Sequence, residues 1–321
     1  MKILFVTANR LGDAVLSTGL LAHLIESHPG AEFTIAAGPT AAPLFKAIPK
    51  LERLIVFAKQ GSGRHWFDLW RGCVTHRWDM VVDLRRSLLG WLLFAHERYA
   101  IPKIDGPLHR VQLIAATMGI EDEPPSPVLW AGPEDDAEAA RLVPDGGQVL
   151  AVAPAANWRG KEWRSENFAA AVDRLTAADG PLPDARVAVF AAPDERPQAE
   201  AVLAAIPEHR RIDLIGGPAL PVVAACLRRC ALFIGNDSGL MHMAAASGIP
   251  TLGLFGPSRP EHYAPWGPNG AFQRTASSYD ELVGAPGYDH LTTDTLMDSL
   301  SVDMVEEAAR NLWQRTSRNA A

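Results

Sequence analysis

Long apolar runs are missing from this chain of 321 residues. The longest strongly apolar stretch, LLGWLLFA (Leu88–Ala95), falls far short of the ~20 residues that span a bilayer as a helix. The apolar start KILFVTA is short and runs directly into NRLGD without a small-residue cleavage site, so the expectation is a cytoplasmic protein with no signal peptide. Cysteine is scarce: Cys73, Cys226 and Cys230 read as reduced core thiols. They and the ten histidines fall into no CxxC or HExxH spacing, so no metal site is expected. Two nucleotide signatures are absent. There is no GxxxxGK[ST] loop, and no GxGxxG follows the first strand with an acid about 20 residues on. Those absences argue against a P-loop NTPase and an ordinary NAD enzyme. With a net charge of −7 and no interleaved basic and aromatic stripe, the chain does not read as a nucleic-acid binder.

What is present is a globular composition, 48% hydrophobic, long enough for two domains. Charge is unevenly spread. Residues 1–120 carry 14 Lys and Arg against 9 Asp and Glu, whereas residues 121–321 carry 16 against 28. The basic excess includes Arg64, Arg71, Arg77, Arg85, Arg86, Arg98, Lys103 and Arg110. It reads either as a seat for an anionic ligand or as ordinary surface variation.

Short β-rich runs alternate with helical segments, twice over. KILFVTA, EFTIAAG, RLIVFA and DMVVDL fill the front half; QVLAVAP, RVAVFAA, RIDLIGG, ALFIGND and PTLGLFG fill the back. Runs apolar almost throughout suit strands covered on both faces, and the alternation implies parallel sheets flanked by helices. The acidic, Pro-rich stretch EDEPPSPVLWAGPEDD (121–136) separates the two arrays. The expected fold is α/β, with two doubly wound domains, 1–135 and 136–321, facing across a cleft lined by the loops after the strands.

Four loops carry the candidate chemistry. In NRLGDAVLSTG, Asp13 follows Arg10 and Gly12 at the start of a helix and reads either as a cap or as a reactive carboxylate. In ALFIGNDSGLMH, Asp237 and Ser238 sit at a strand-to-helix turn. Ser238 is placed to cap the helix, Gly239 lets a ligand approach the backbone, and the free N–H groups of such a turn suit phosphate. Asp237 would repel that phosphate unless it faces something else, such as sugar hydroxyls; otherwise it is a cap and His242 a core imidazole. In APAANWRGKEWRSENF, Asn157, Arg159 and Lys161 lie in an irregular loop before a helix capped around Ser165. Lys161 reads as a diphosphate ligand or as a surface lysine packed on tryptophan. In FAAPDERPQ, Asp194 and Glu195 either favour the helix dipole or reach ribose hydroxyls.

In order and spacing these loops resemble glycosyltransferase family 9, whose best-known members are the ADP-heptose:lipopolysaccharide heptosyltransferases. The resemblance covers most of the chain: LGD and its helix, the Trp-x-x-Lys-x-Trp loop, the Pro-Asp-Glu turn, NDSGLMH…GIPTLGLFGPSRP, and the closing MDSLSVDMVEEAARNLW. The chain departs from many relatives at Ser17–Gly19, where they carry Thr-Pro, and at Arg164, where they often carry Pro.

The resemblance implies a GT-B fold with two Rossmann-like domains, the first for the acceptor and the second for the nucleotide sugar. It also implies inversion at the anomeric carbon without a metal, which fits the absence of a DxD motif. Carried over residue by residue, it makes Asp13 the general base and Lys161 the diphosphate ligand. Glu195 becomes the acid near the ribose, and Asp237, Ser238, Gly239, Leu240 and His242 the sugar- and diphosphate-binding loop. Gly12, Asn157 and Arg159 support them. Arg10, Arg64, Arg85 and Arg86 are candidates for an anionic glycolipid acceptor such as a lipopolysaccharide core. No cofactor is expected beyond the donor, with ADP-heptose first in line. Two other readings stand beside this one: a transferase using a different nucleotide hexose, and a nucleotide-sugar binder without turnover. The stretch RRSLLGWLLFA reads either as a buried helix with two exposed arginines or as a peripheral contact with the inner membrane. A closing helix at about 301–316 is expected to pack back on the first domain.

Overall fold

The apolar runs become parallel strands, as their two-sided hydrophobicity demands. The computed structural model describes residues 1–58, 61, 63–104, 106–289 and 292–319, and the chain divides into two units, Met1–Gly132 and Pro133–Ala321.

The first unit runs β1 (Lys2–Val6), α1 (Leu11–Ser27), β2 (Glu32–Ala37), β3 (Leu51–Val56), α2 (Arg64–Cys73), β4 (Arg77–Asp83), α3 (Leu89–Leu92), β5 (Phe94–Ala100) and α4 (Arg110–Ala115). Its sheet has the order β3-β2-β1-β4-β5 and is parallel throughout. The strand order therefore reverses between β1 and β4, the crevice where open α/β sheets receive ligands. Helix α1 is buried from Ala14 through Leu21. Its Ser17-Thr18-Gly19 segment is built for packing. Ser17 Oγ meets Thr7 Oγ1 at 2.7 Å, Thr18 Oγ1 accepts from Val128 N at 3.0 Å, and a Cβ on Gly19 would lie 2.2 Å from Pro125 O. Segment 125–128 thus crosses α1 where only glycine permits it.

The second unit runs α5 (Pro133–Leu142), β6 (Val149–Ala153), α6 (Ser165–Leu175), β7 (Arg186–Ala191), α7 (Arg196–Ala205), β8 (Arg211–Ile215), α8 (Leu220–Arg228), β9 (Leu232–Asn236), α9 (Gly239–Ala246), β10 (Thr251–Phe255), α10 (Pro260–Tyr263), β11 (Gly270–Arg274), α11 (Tyr279–Val283) and α12 (Val302–Asn319). The sheet order is β11-β10-β9-β6-β7-β8, again all parallel, with its reversal between β6 and β9. Its core gathers Trp163, Phe168, Leu150 and Leu232, each at most 1% exposed. Burying such a side chain contributes roughly 1.5–3 kcal/mol.

The closing helix packs its apolar face within the second unit: Val305, Ala309 and Leu312, at helical spacing, join that core and pack against α6, β10 and β11. Two expectations change here. The stretch read either as a buried helix or as a membrane contact is a single turn, α3, followed by strand β5; Leu89 and Leu93 are buried, whereas Leu88, Trp91 and Leu92 are largely exposed. Finally, α6 is not capped by Ser165: Arg164 holds the N-cap position and Ser165 Oγ donates to Gln198 O at 3.2 Å. All three cysteines are free and buried, and burial pushes the thiols of Cys73 and Cys226 up to about 11.

Candidate active site

In the first unit, the loops after β1 and β4, residues 101–104 and helix α4 line a cavity of about 570 Å³ at the topological switch point. Its lining is cationic: among the described residues, Arg10, Arg85, Arg86, Lys103 and Arg110 surround one acid, Asp13. Asp13 is not the cap of α1. Arg10 holds the N-cap position, and Asp13 is the third residue of the helix, where the N-terminal dipole favours an acid. Arg110 Nε lies 3.5 Å from Asp13 Oδ1, with both side chains about three-quarters buried, so α4 sets a guanidinium against the carboxylate. Asn9 Oδ1 is buried at the cavity edge with no hydrogen-bond partner among the described residues.

The arginine loop is held from beneath. Asp83, at the end of β4 and 2% exposed, accepts from Arg85 N and Ser87 N at 2.8 Å each and from Ser87 Oγ at 2.6 Å. That turn carries Arg86 at φ +50°, a strained conformation for a residue with a Cβ. Burial raises the Asp83 carboxyl above its usual range, partly offset by these hydrogen bonds. Arg64 stands apart from this cavity. It is exposed on α2 with Asp68 Oδ2 at 4.0 Å.

In the second unit, the loop after β6 meets the end of β9. Lys161 Nζ donates to Asp237 Oδ2 at 2.5 Å, and His242 Nε2 lies 3.9 Å from Asp237 Oδ1. Asp237 is therefore flanked by cationic and imidazole nitrogen, which answers why an acid stands beside an anion seat. The backbone is locked by Asn236, whose Nδ2 donates to Pro154 O at 2.7 Å and whose Oδ1 accepts from Trp163 N at 3.2 Å. Ser238 occupies the N-cap position of α9, yet its side chain makes no cap bond: Oγ is buried and unpartnered among the described residues. Gly239 and Leu240 open the helix, whose first-turn N–H groups and dipole favour an anion.

The other donor-loop candidates divide. Asn157 is exposed. Arg159 is committed to Glu162 at 2.9 Å and Asp294 at 2.8 Å. Glu195 Oε2 accepts from Ala192 N at 2.8 Å, and burial raises its carboxyl above the usual range, with Asp194 and Glu162 adding to the effect against that hydrogen bond. Sequence reasoning left out Asp83 and Glu162 and gave no role to Asn9 or Asn236, which it met only as parts of their loops. It named Lys103 and Arg110 only within the general basic excess. The polar strand ends before α1 and α9 were the available signal for Asn9 and Asn236.

Two parallel Rossmann-like sheets, each with candidate ligand residues at its switch point, define a GT-B α/β protein. The chain belongs to glycosyltransferase family 9 (heptosyltransferase), whose model matches residues 75–281. It is a glycosyltransferase. Among similar proteins, the lipooligosaccharide heptosyltransferase 2 of Haemophilus influenzae is 23% identical over 307 residues, covering 83% of this chain and 86% of the relative. The glycosyl transferase family 9 structure from Veillonella parvula superposes with a TM-score of 0.80 at 21% identity, covering 98% and 97% of the two chains. Escherichia coli heptosyltransferase WaaC with ADP superposes with a TM-score of 0.69 at 17% identity, covering 97% and 100%.

Proposed function

We propose that the protein transfers heptose from ADP-heptose to an anionic glycolipid acceptor of the lipopolysaccharide core, with inversion and without a metal, in the cytoplasm at the inner face of the inner membrane. The observation that carries this reading is the cavity in which Asp13 is, among the described lining residues, the one carboxylate beside five cations. Such a lining suits an acceptor bearing phosphate or carboxylate, and it supplies one group able to take a proton. The relatives' names supply the sugar and the pathway, and the ADP of the WaaC structure supplies the nucleotide.

In this mechanism the first unit holds the acceptor and the second the donor. An acceptor hydroxyl oxygen forms a bond to the anomeric carbon as the bond from that carbon to the diphosphate oxygen breaks on the opposite face. The hydroxyl proton passes to Asp13, and the bonding electrons leave with ADP. Lys161 and the first-turn N–H groups of α9 meet the charge growing on the diphosphate. Asp237 holds Lys161 until the donor arrives and then faces sugar hydroxyls together with His242. Glu195 receives the ribose.

Incubation with ADP-heptose and a heptose-deficient core acceptor, followed by mass spectrometry, tests the reading. The expected product is the acceptor heavier by one heptose, with the anomeric configuration inverted and turnover unchanged by EDTA. Transfer only from a UDP- or GDP-hexose would replace the donor assignment, and donor binding without any product would reduce the protein to a binder.

A further inference from the structure

The turn α3 is apolar on both sides. Leu89 and Leu93 face inward at 3% exposure, while Leu88, Trp91 and Leu92, spaced i, i+3 and i+4, stand 75%, 77% and 60% exposed. Phe67 on α2 adds to this surface at 57% exposure; its ring lies 5.7 Å from Trp70, whose Nε1 donates to Leu92 O at 3.1 Å. Phe94 follows at the start of edge strand β5, beside Arg77 in the β4–β5 register. A cluster of large apolar side chains held in the open marks a surface that meets something.

We propose that α3 and the outward face of α2 dock this enzyme on an anionic bilayer, with Trp91 and its neighbours at headgroup depth. The rim selects the partner. Arg64 and Arg71 share the face of α2 that carries Phe67, Arg77 flanks Phe94, and Asp68 is the acid among them, paired with Arg64. A second copy laid on this patch would oppose arginine to arginine, whereas anionic headgroups complement them. This deepens the reading above, since an acceptor with a lipid tail is met at such a surface, but the docking stands or falls separately from the sugar transferred.

The test is co-sedimentation with vesicles of pure phosphatidylcholine and of an equimolar phosphatidylcholine–phosphatidylglycerol mixture. The protein should pellet with the mixture alone and be released by salt. Trp91→Ser/Leu92→Ser and Arg71→Gln/Arg77→Gln should each lower partitioning about tenfold or more. All four positions are solvent-exposed and outside the cavity, so the far-UV circular dichroism and the Tm should be unchanged, which verifies folding of the first unit in both variants. Failure to pellet with the mixture, or equal pelleting of wild type and both variants, overturns the proposal. So does a concentration-dependent dimer in sedimentation velocity that Trp91→Ser/Leu92→Ser abolishes, with no vesicle binding. Vesicle binding without glycosyl transfer would retire the functional reading and leave the docking surface intact.

Discussion

Lys161 and Asp237 are 76 residues apart in sequence and 2.5 Å apart in space. One comes from the loop after β6, the other from the end of β9, the two strands between which the second sheet reverses. Their pairing makes the switch point a charged seat whose cation is held ready by its own counter-ion.

Both side chains are largely buried, at 21% and 6% exposure, so removing one partner should cost more than removing both. Asp237→Leu strands an ammonium and should destabilise the protein by about 3 kcal/mol. Lys161→Met strands a carboxylate with a similar cost, whereas the double variant should recover most of that loss. Urea unfolding measures this, and additive single losses in the double variant would show that the pair is not coupled. ADP affinity should fall about tenfold or more in Lys161→Met, through loss of a charge-assisted contact to the diphosphate.

Asp13→Asn keeps the shape of the side chain and removes the proton acceptor. Turnover should fall by about 10²- to 10⁴-fold while ADP affinity, which the proposed function gives to the second unit, stays the same. Near-normal kcat would end the assignment of Asp13 as base. Arg110→Gln probes the guanidinium set against it. Losing that contact should lower kcat less than Asp13→Asn does, and loss of fold would be visible as a lowered Tm.

The architecture was legible where burial is two-sided. All nine strands read from the sequence are present: the inner ones are apolar nearly throughout because both faces are covered, and the more exposed edge strands β3 and β8 still carry short apolar runs. The two that escaped, β5 and β11, are edge strands. FAHERYA alternates exposed and half-buried residues, and GAFQR is half-buried at best, so neither shows a continuous apolar run. In the sites, residues beside a strand end could be picked out, as with Asp13 and Asp237. Their partners could not. Arg110 reaches Asp13 from α4, and Lys161 reaches Asp237 from another crossover, so only the fold reveals those contacts. Ser238 misled for a local reason: its position is that of a cap, but its hydroxyl finds no partner among the described residues.

The cysteines should be silent. Burial pushes Cys73 and Cys226 up to about 11 and raises Cys230 still further, so little thiolate exists at neutral pH and none of the three is accessible. Iodoacetamide should leave the native protein unmodified and add to all three thiols after unfolding in urea, as counted by mass spectrometry. Rapid labelling of the native protein would contradict this burial.

Asp83 links pH to the arginine loop. Its carboxyl titrates above the usual range in the folded protein, chiefly because burial disfavours the charged form. A raised carboxyl contributes stability that is fully present below its unfolded value, about 3.9, and is lost as pH rises through the folded value. The variant Asp83→Asn cannot titrate there. The stability of wild type minus that of Asp83→Asn should therefore grow as the pH is lowered from neutral towards the unfolded value. Carboxyls held below their usual range by hydrogen bonds and arginines, such as Glu306 and Asp294, change stability in the opposite direction, but they are common to both proteins and cancel in the difference. Paired urea titrations at several pH values measure it, and a difference that stays flat would show that Asp83 titrates alike folded and unfolded. The same variant offers one carbonyl oxygen where the carboxylate accepts three hydrogen bonds, so the turn at Arg85–Ser87 should loosen. Acceptor KM should then rise while ADP affinity is kept, which separates a positioning role for Asp83 from a general loss of stability.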